Sequence, residues 1–213
     1  MSVQSKVSKD ANGFVTFVDS EKGVYALLGY EGTTADVELV LPTNILGNNY
    51  SIHDYAFYEK DNITSVSIPE AVTRIGRYAF YNCYRMNTAN IPNSVTYIGD
   101  HAFYCCQLQC TTLYIGSEIE FIGNYAFWNN NALDIFVFDE NINWTNLTIT
   151  SSLSWEEIVV VVKGTDKKTI ETALEKLAQV SAEYCSSTTI QIDATLVDLI
   201  PNTYGFAVIE PIE

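Results

Sequence analysis

The chain has 213 residues, 47% of them hydrophobic and 17% charged, so it can bury a core and does not read as disordered. Its 11 Lys and Arg stand against 26 Asp and Glu, a formal charge of −15, which argues against a nucleic-acid or anionic-membrane surface. No stretch reaches the run of about 18 apolar residues that a membrane-spanning helix needs.

At the N-terminus, Met1 to Phe14 lacks an apolar segment and does not read as a signal peptide. Phe14 to Val18 and Val24 to Leu28 then alternate as strands, joined by the polar turn Asp19 to Gly23. This hairpin is a candidate cap, because a stacked array exposes apolar surface at both ends.

The strongest signal follows. Ala-Phe-aromatic recurs at Ala56-Phe57-Tyr58, Ala79-Phe80-Tyr81, Ala102-Phe103-Tyr104 and Ala126-Phe127-Trp128, with steps of 23, 23 and 24 residues between the phenylalanines. Ile75-Gly76, Ile98-Gly99 and Ile122-Gly123 precede it at fixed distance, and Ile52-His53 fills that place in the first copy. Further upstream come Val72, Val95 and Ile119, then Ile68-Pro69, Ile91-Pro92 and Ile115-Gly116. Each unit begins with an alternating segment: Ile63, Val66, Ile68; Met86, Ala89, Ile91; Cys110, Leu113, Ile115; Leu133, Phe136, Phe138. Alternation predicts a short strand with one buried face, and Val72 to Ile75 a second extended or turn segment. One unit cannot enclose a core, but stacked units place Phe80 on Phe103 and Ile68 on Ile91 at a rung spacing of about 4.8 Å.

After Phe138 the pattern decays, although Trp144, Leu147, Ile149, Leu153 and Trp155 remain apolar. Ile158 to Val162 predicts a buried strand. Thr165 or Asp166 can cap a helix with the apolar stripe Ile170, Ala173, Leu174, Leu177 and Val180. Strand-like runs follow at Thr189 to Ile192, Leu196 to Ile200 and Phe206 to Ile209. The expected organisation is a hairpin cap over 1–36, a solenoid over 37–162, and an α/β cap or docking module over 163–213. The fold class is α/β and strand-rich: a right-handed leucine-rich-repeat solenoid of short parallel strands.

The pattern IPxxVxxIGxxAFxxC, nearly complete from Ile68 to Cys83 and again from Ile91 to Cys106, resembles the BspA-like (Treponema-type) leucine-rich repeats. Gly23 to Pro42 is similar to that family's lead-in, and Val159 to Thr165 to its closing strand and turn, so the resemblance spans about Gly23 to Lys163. It implies a bacterial cell-surface or secreted protein, with relatives in some parasitic protists, that adheres to host proteins or other cells. No leader and no surface anchor of the family's kind is visible between Met1 and Glu213.

Few residues suggest chemistry. His53 and His101 are the two histidines; His101 falls in the column of Tyr55, Tyr78 and Tyr125, and His53 replaces the bend glycine. Neither lies beside a nucleophile or a ligand cluster, so structural roles are expected. The five cysteines are Cys83, Cys105, Cys106, Cys110 and Cys185, an odd number without a CxxC pair, which argues against a disulfide framework or a zinc site. Cys83 and Cys106 are equivalent and read as small buried side chains or, with Cys105 and Cys110 as further candidates, as a bond between rungs or a reactive thiol. Asn62, Asn143 and Asn146 begin glycosylation sequons of the kind that arise by chance in an Asn- and Thr-rich chain. No catalytic or metal motif and no cofactor site is found, and no enzyme is expected.

The candidate binding residues are aromatic. Tyr58, Tyr81, Tyr104 and Trp128 recur once per rung, Tyr97 and Phe121 form a second column beside Arg74, and Tyr114 belongs to a third with Ser67, Asn90 and Val137. Such columns either recognise a protein or glycan partner or merely stabilise the rungs. The expected function is an adhesin-like, non-enzymatic module that binds a protein or glycan through a solenoid face. The alternative is a structural component of a virion or surface layer, with self-association.

Overall fold

The computed structural model describes residues 5–32, 36–108, 112–130, 132–133, 135–150, 158–163, 166–184, 188–191 and 207–209. Strands β2 (Phe14–Asp19) and β3 (Val24–Tyr30) form the expected antiparallel hairpin, and β1 (Lys6–Lys9) adds an outer strand. The hairpin is more than a lid. β3 pairs in parallel with β5 (Tyr50–Ile52), which continues through β7 (Val72–Ile75), β9 (Tyr97–Ile98), β11 (Phe121–Ile122) and β13 (Thr148–Ile149). The segment that sequence spacing leaves as extended or turn therefore builds the longest sheet, of eight strands.

The alternating segment at the start of each unit builds two shorter parallel sheets. One is β4 (Val37–Val40), β6 (Ile63–Ser67) and β8 (Thr88–Ala89). The other begins with β10 (Thr112–Ile115), β12 (Ile135–Phe138) and β14 (Ile158–Val162). β8 stops short because Asn90 takes over the ladder with its side chain. Its Oδ1 accepts from the Ile68 N–H and its Nδ2 donates to the Ile68 carbonyl, both at 2.9 Å. The amide thus replaces a backbone peptide unit at the point where the strand ends.

The interior is continuous from rung to rung. Ile52, Ile75, Ile98 and Ile122 lie fully buried in one column and Phe57, Phe80, Phe103 and Phe127 in another. The phenylalanine rings stack at centroid distances of 4.9, 5.1 and 5.5 Å. Phe136 closes this column edge-on at 5.6 Å from Phe127.

The bend glycines are fixed by this close stacking. A Cβ on Gly76, Gly99 or Gly123 would fall between 2.5 and 2.6 Å from backbone nitrogen of the preceding rung. His53 is tolerated at the first copy because its neighbour is β3 of the hairpin, to which its N–H donates through the Leu27 carbonyl at 2.9 Å.

Helix α1 (Lys167–Tyr184) follows β14, and β15 (Thr188–Gln191) and β16 (Ala207–Ile209) extend the same parallel sheet. Asp166 caps α1 by accepting the Thr169 N–H at 2.9 Å, and Ile170, Ala173, Leu174 and Leu177 are buried as the stripe predicts. Thr165, Leu153, Trp155, Cys110, Cys185 and the strand expected over 196–200 lie outside the described residues, as does the side chain of Val180.

Candidate functional site

The Ala-Phe turn has an unusual backbone. Each copy is bounded by two residues at positive φ: Tyr55 and Glu59, Tyr78 and Asn82, His101 and Cys105, Tyr125 and Asn129, all between 54° and 63°. Left-handed backbone costs a residue with a side chain about 1–2 kcal/mol. Hydrogen bonds offset the cost. In the first copy the Ala56 and Tyr58 N–H groups turn back on His53 and Tyr55, while those of Tyr55, Phe57 and Glu59 reach the Arg77, Ala79 and Tyr81 carbonyls of the next rung at 2.9, 2.7 and 2.8 Å. Phe80 and Phe103 repeat this onto Ala102 and Ala126. Every such bond has its donor on the earlier rung, so the ladder is polar from end to end.

This backbone aims two aromatic side chains per rung at the same face. Tyr58, Tyr81 and Tyr104 stack at 5.1 and 4.9 Å, with ring planes 4° and 13° apart. Beside them Tyr55, Tyr78 and His101 stack at 5.0 and 4.8 Å, and Tyr125 sits tilted at 5.2 Å from His101. Cross-contacts join the columns: Tyr55 to Tyr58 at 5.6 Å, Tyr78 to Tyr81 at 5.4 Å, His101 to Tyr104 at 5.4 Å and Tyr125 to Trp128 edge-on at 5.2 Å. The sequence groups Tyr55, Tyr78, His101 and Tyr125 in one column without marking them as binding residues. The signal was an aromatic residue three positions before each of Tyr58, Tyr81, Tyr104 and Trp128.

Ring stacking decides what this face can offer. Face-to-face rings at rung spacing cover each other's π surfaces, so the half-buried inner tyrosines leave edges and hydroxyls to solvent. The most exposed rings of the two columns lie at the N-terminal end, where Tyr55 is 56% and Tyr58 38% exposed. Burial, and then the neighbouring Glu59 carboxylate, push the Tyr58 phenol above its ordinary pKa.

The second expected column is also real and shorter. Tyr97 stacks on Phe121 at 4.6 Å, and the Arg74 guanidinium covers the other face of Tyr97 at 3.6 Å from its centroid. Tyr114 stands 65% exposed on β10, apart from both aromatic groups. Its column stays apolar toward the C-terminus. Val137 is only 7% exposed, but it is flanked in the sheet by the exposed Tyr114 and the half-exposed Val161, with the half-exposed Ile135 and Val159 on the same face.

Among the described residues no group of three His, Cys, Asp or Glu side chains converges. A cleft lies between Ile142, Trp144 and the first turn of α1, lined by Lys168, Thr169 and Thr172. Among the described residues Lys168 is its one charged side chain, and no nucleophile with a base lines it. No described helix is long and apolar enough to cross a membrane.

A sequence model of the BspA type leucine rich repeat region matches residues 50–161 as six copies. The fold is similar to a leucine-rich repeat protein of T. pallidum, with TM-score 0.56 and 20% identity over 72% of this chain and 86% of that one. It is similar to a leucine-rich repeat protein of Bacteroides capillosus, with TM-score 0.52 and 23% identity over 62% and 98%. The pneumococcal vaccine antigen PcpA matches with TM-score 0.62 and 14% identity over 95% of this chain, which spans 48% of that structure. No curated protein matches.

Proposed function

This chain belongs to the BspA-type leucine-rich repeat family, and from that premise we propose that it is a non-enzymatic, adhesin-like module that binds a protein or glycan partner at a cell surface or after secretion. The observation that carries the reading is the double aromatic column from Tyr55 to Trp128, which spends eight ring-bearing side chains on one face of the solenoid. Burying the Phe column already holds the rungs together, so a second, half-exposed aromatic layer is more than packing requires. Its edges and hydroxyl groups suit a partner rich in hydrogen-bonding groups, and rigid tyrosines lose little entropy on binding.

The test is a screen of the whole chain against glycan arrays and purified extracellular proteins, repeated with the double variant Tyr81→Phe/Tyr104→Phe. Loss of the two hydroxyls leaves stacking intact and is expected to weaken binding by about tenfold. A ligand that binds the variant unchanged removes the aromatic face from the proposal. Turnover of general ester, peptide or glycan substrates would retract the non-enzymatic reading.

A further inference from the structure

The tyrosine face is periodic as well as aromatic. Tyr58, Tyr81 and Tyr104 follow one another at 5.1 and 4.9 Å, and Tyr55, Tyr78 and His101 at 5.0 and 4.8 Å. Successive ring planes lie only 4° to 13° apart, so the ladder runs nearly untwisted over three rungs. Tyr78, Tyr81 and Tyr104 are half-buried, yet their hydroxyls make no hydrogen bond among the described residues and are not closed off from water. The face therefore offers groups that both donate and accept, once per rung, while the ring faces are already used in stacking.

Spacing selects the ligand. An extended peptide advances about 3.3 Å per residue as a strand and about 3.1 Å as polyproline, so neither its residues nor its alternate residues keep step with the rungs. A helix returns every ~5.4 Å, but on alternating steps of three and four residues. A linear β-1,4-linked glycan does keep step. Each sugar advances the chain by close to one rung, and hydroxyls on both edges of every ring leave one facing each tyrosine although successive sugars are turned over. An uncharged glycan also avoids the repulsion that a polyanion meets from a chain of formal charge −15.

We propose that the tyrosine ladder binds a linear, uncharged β-1,4-linked polysaccharide laid along the solenoid axis, one sugar per rung. Because the array is rigid, each further sugar adds contacts without ordering more of the protein. This inference rests on the interaction-module reading and names the chemistry of the partner.

The test uses the whole chain with carbon-13-labelled tyrosine, titrated with cello-oligosaccharides of two to six sugars and, as a curved control, malto-oligosaccharides of the same lengths. Expected are saturable shifts of the ladder tyrosines and no saturable shift with the malto series. Affinity for the cello series should rise about threefold per sugar and level off once the rungs from Tyr58 to Trp128 are filled. Tyr81→Phe keeps its ring in the stack but removes the middle hydroxyl, and is expected to flatten that length dependence. The proposal is overturned by affinity that does not grow with length, by equal binding of the malto series, by shifts confined to Tyr114, or by an unchanged length dependence in Tyr81→Phe. If no sugar binds but a purified protein does, and loses affinity in Tyr81→Phe/Tyr104→Phe, this inference falls and the broader function stands. If neither sugars nor proteins engage the face, both fall.

Discussion

The Cys106 thiol donates a 2.9 Å hydrogen bond to the Phe80 carbonyl, and one rung later Asn130 reaches the Phe103 carbonyl from the equivalent position at 2.8 Å. Cys83 makes the same bond to Phe57 at 3.1 Å. The column therefore selects a buried donor rather than a small volume alone. Cys106→Ala is expected to cost about 2 kcal/mol, half from the bond and half from lost packing. Asn130→Ala should cost more, because its amide also bonds the Phe127 carbonyl at 2.8 Å. Urea unfolding under reducing conditions measures both; equal stability of Cys106→Ala and the parent chain would show that the bond is idle.

The same burial makes the protein sensitive to alkali. The Cys83 thiol is pushed from 9.0 up to about 12 by burial, and the Cys106 thiol is raised as well. Above pH 9 an unfolded thiol ionises while the folded one keeps its proton. The folded state then binds more protons, so stability falls as pH rises, by up to about 1.4 kcal/mol per pH unit for each thiol. Tyr50, raised by burial, reinforces the fall above its ordinary value of 10.0. Urea midpoints at about pH 8 and pH 10.5 test this, and the slope should be shallower in Cys83→Ala.

Repetition makes much of this fold legible in the sequence. Phe57, Phe80, Phe103 and Phe127 announce their column because each must meet its copy one rung away. The glycine markers are legible for the same reason: Gly76, Gly99 and Gly123 have no room for a Cβ. What periodicity does not carry is direction. Whether Tyr58 points outward depends on the positive φ of Tyr55 and Glu59, which no propensity scale assigns to such residues. Nor does spacing show that the tyrosines stack face to face, which turns an aromatic strip into a row of edges.

Gly99 and His53 occupy equivalent positions and should respond oppositely to alanine. A Cβ on Gly99 would lie 2.6 Å from the Arg77 nitrogen and 2.8 Å from its Cα. Backbone cannot rotate away, so Gly99→Ala should force rungs apart and cost about 2–3 kcal/mol. His53 already carries a Cβ and its side chain is exposed, so His53→Ala should lie within about 0.5 kcal/mol of the parent chain. Thermal or urea unfolding of the two variants distinguishes them, and a benign Gly99→Ala would mean that the rungs are less tightly registered than their hydrogen bonds imply.

His101 gives the ladder an acid limit. It stacks on Tyr78 at 4.8 Å and touches Tyr104, Tyr125 and Tyr81, while its Nδ1 is buried without a hydrogen-bond partner among the described residues. Burial lowers its pKa below 6.5; Asp100 opposes the shift and Arg77 adds to it. Below pH 6.5 the unfolded histidine takes up a proton that the folded one refuses. The unfolded state then binds more protons, so the stability present above pH 6.5 drains away as pH falls through the lower folded value. His101→Tyr restores the residue that occupies this column in the other rungs, keeps the stacking and removes the titration. The parent chain should therefore lose stability between about pH 7 and pH 5.5 relative to the variant, as measured by urea midpoints. A constant difference across that range would mean that the imidazole is hydrated in the folded state, and the desolvated stack between Tyr78 and Tyr125 would have to be abandoned.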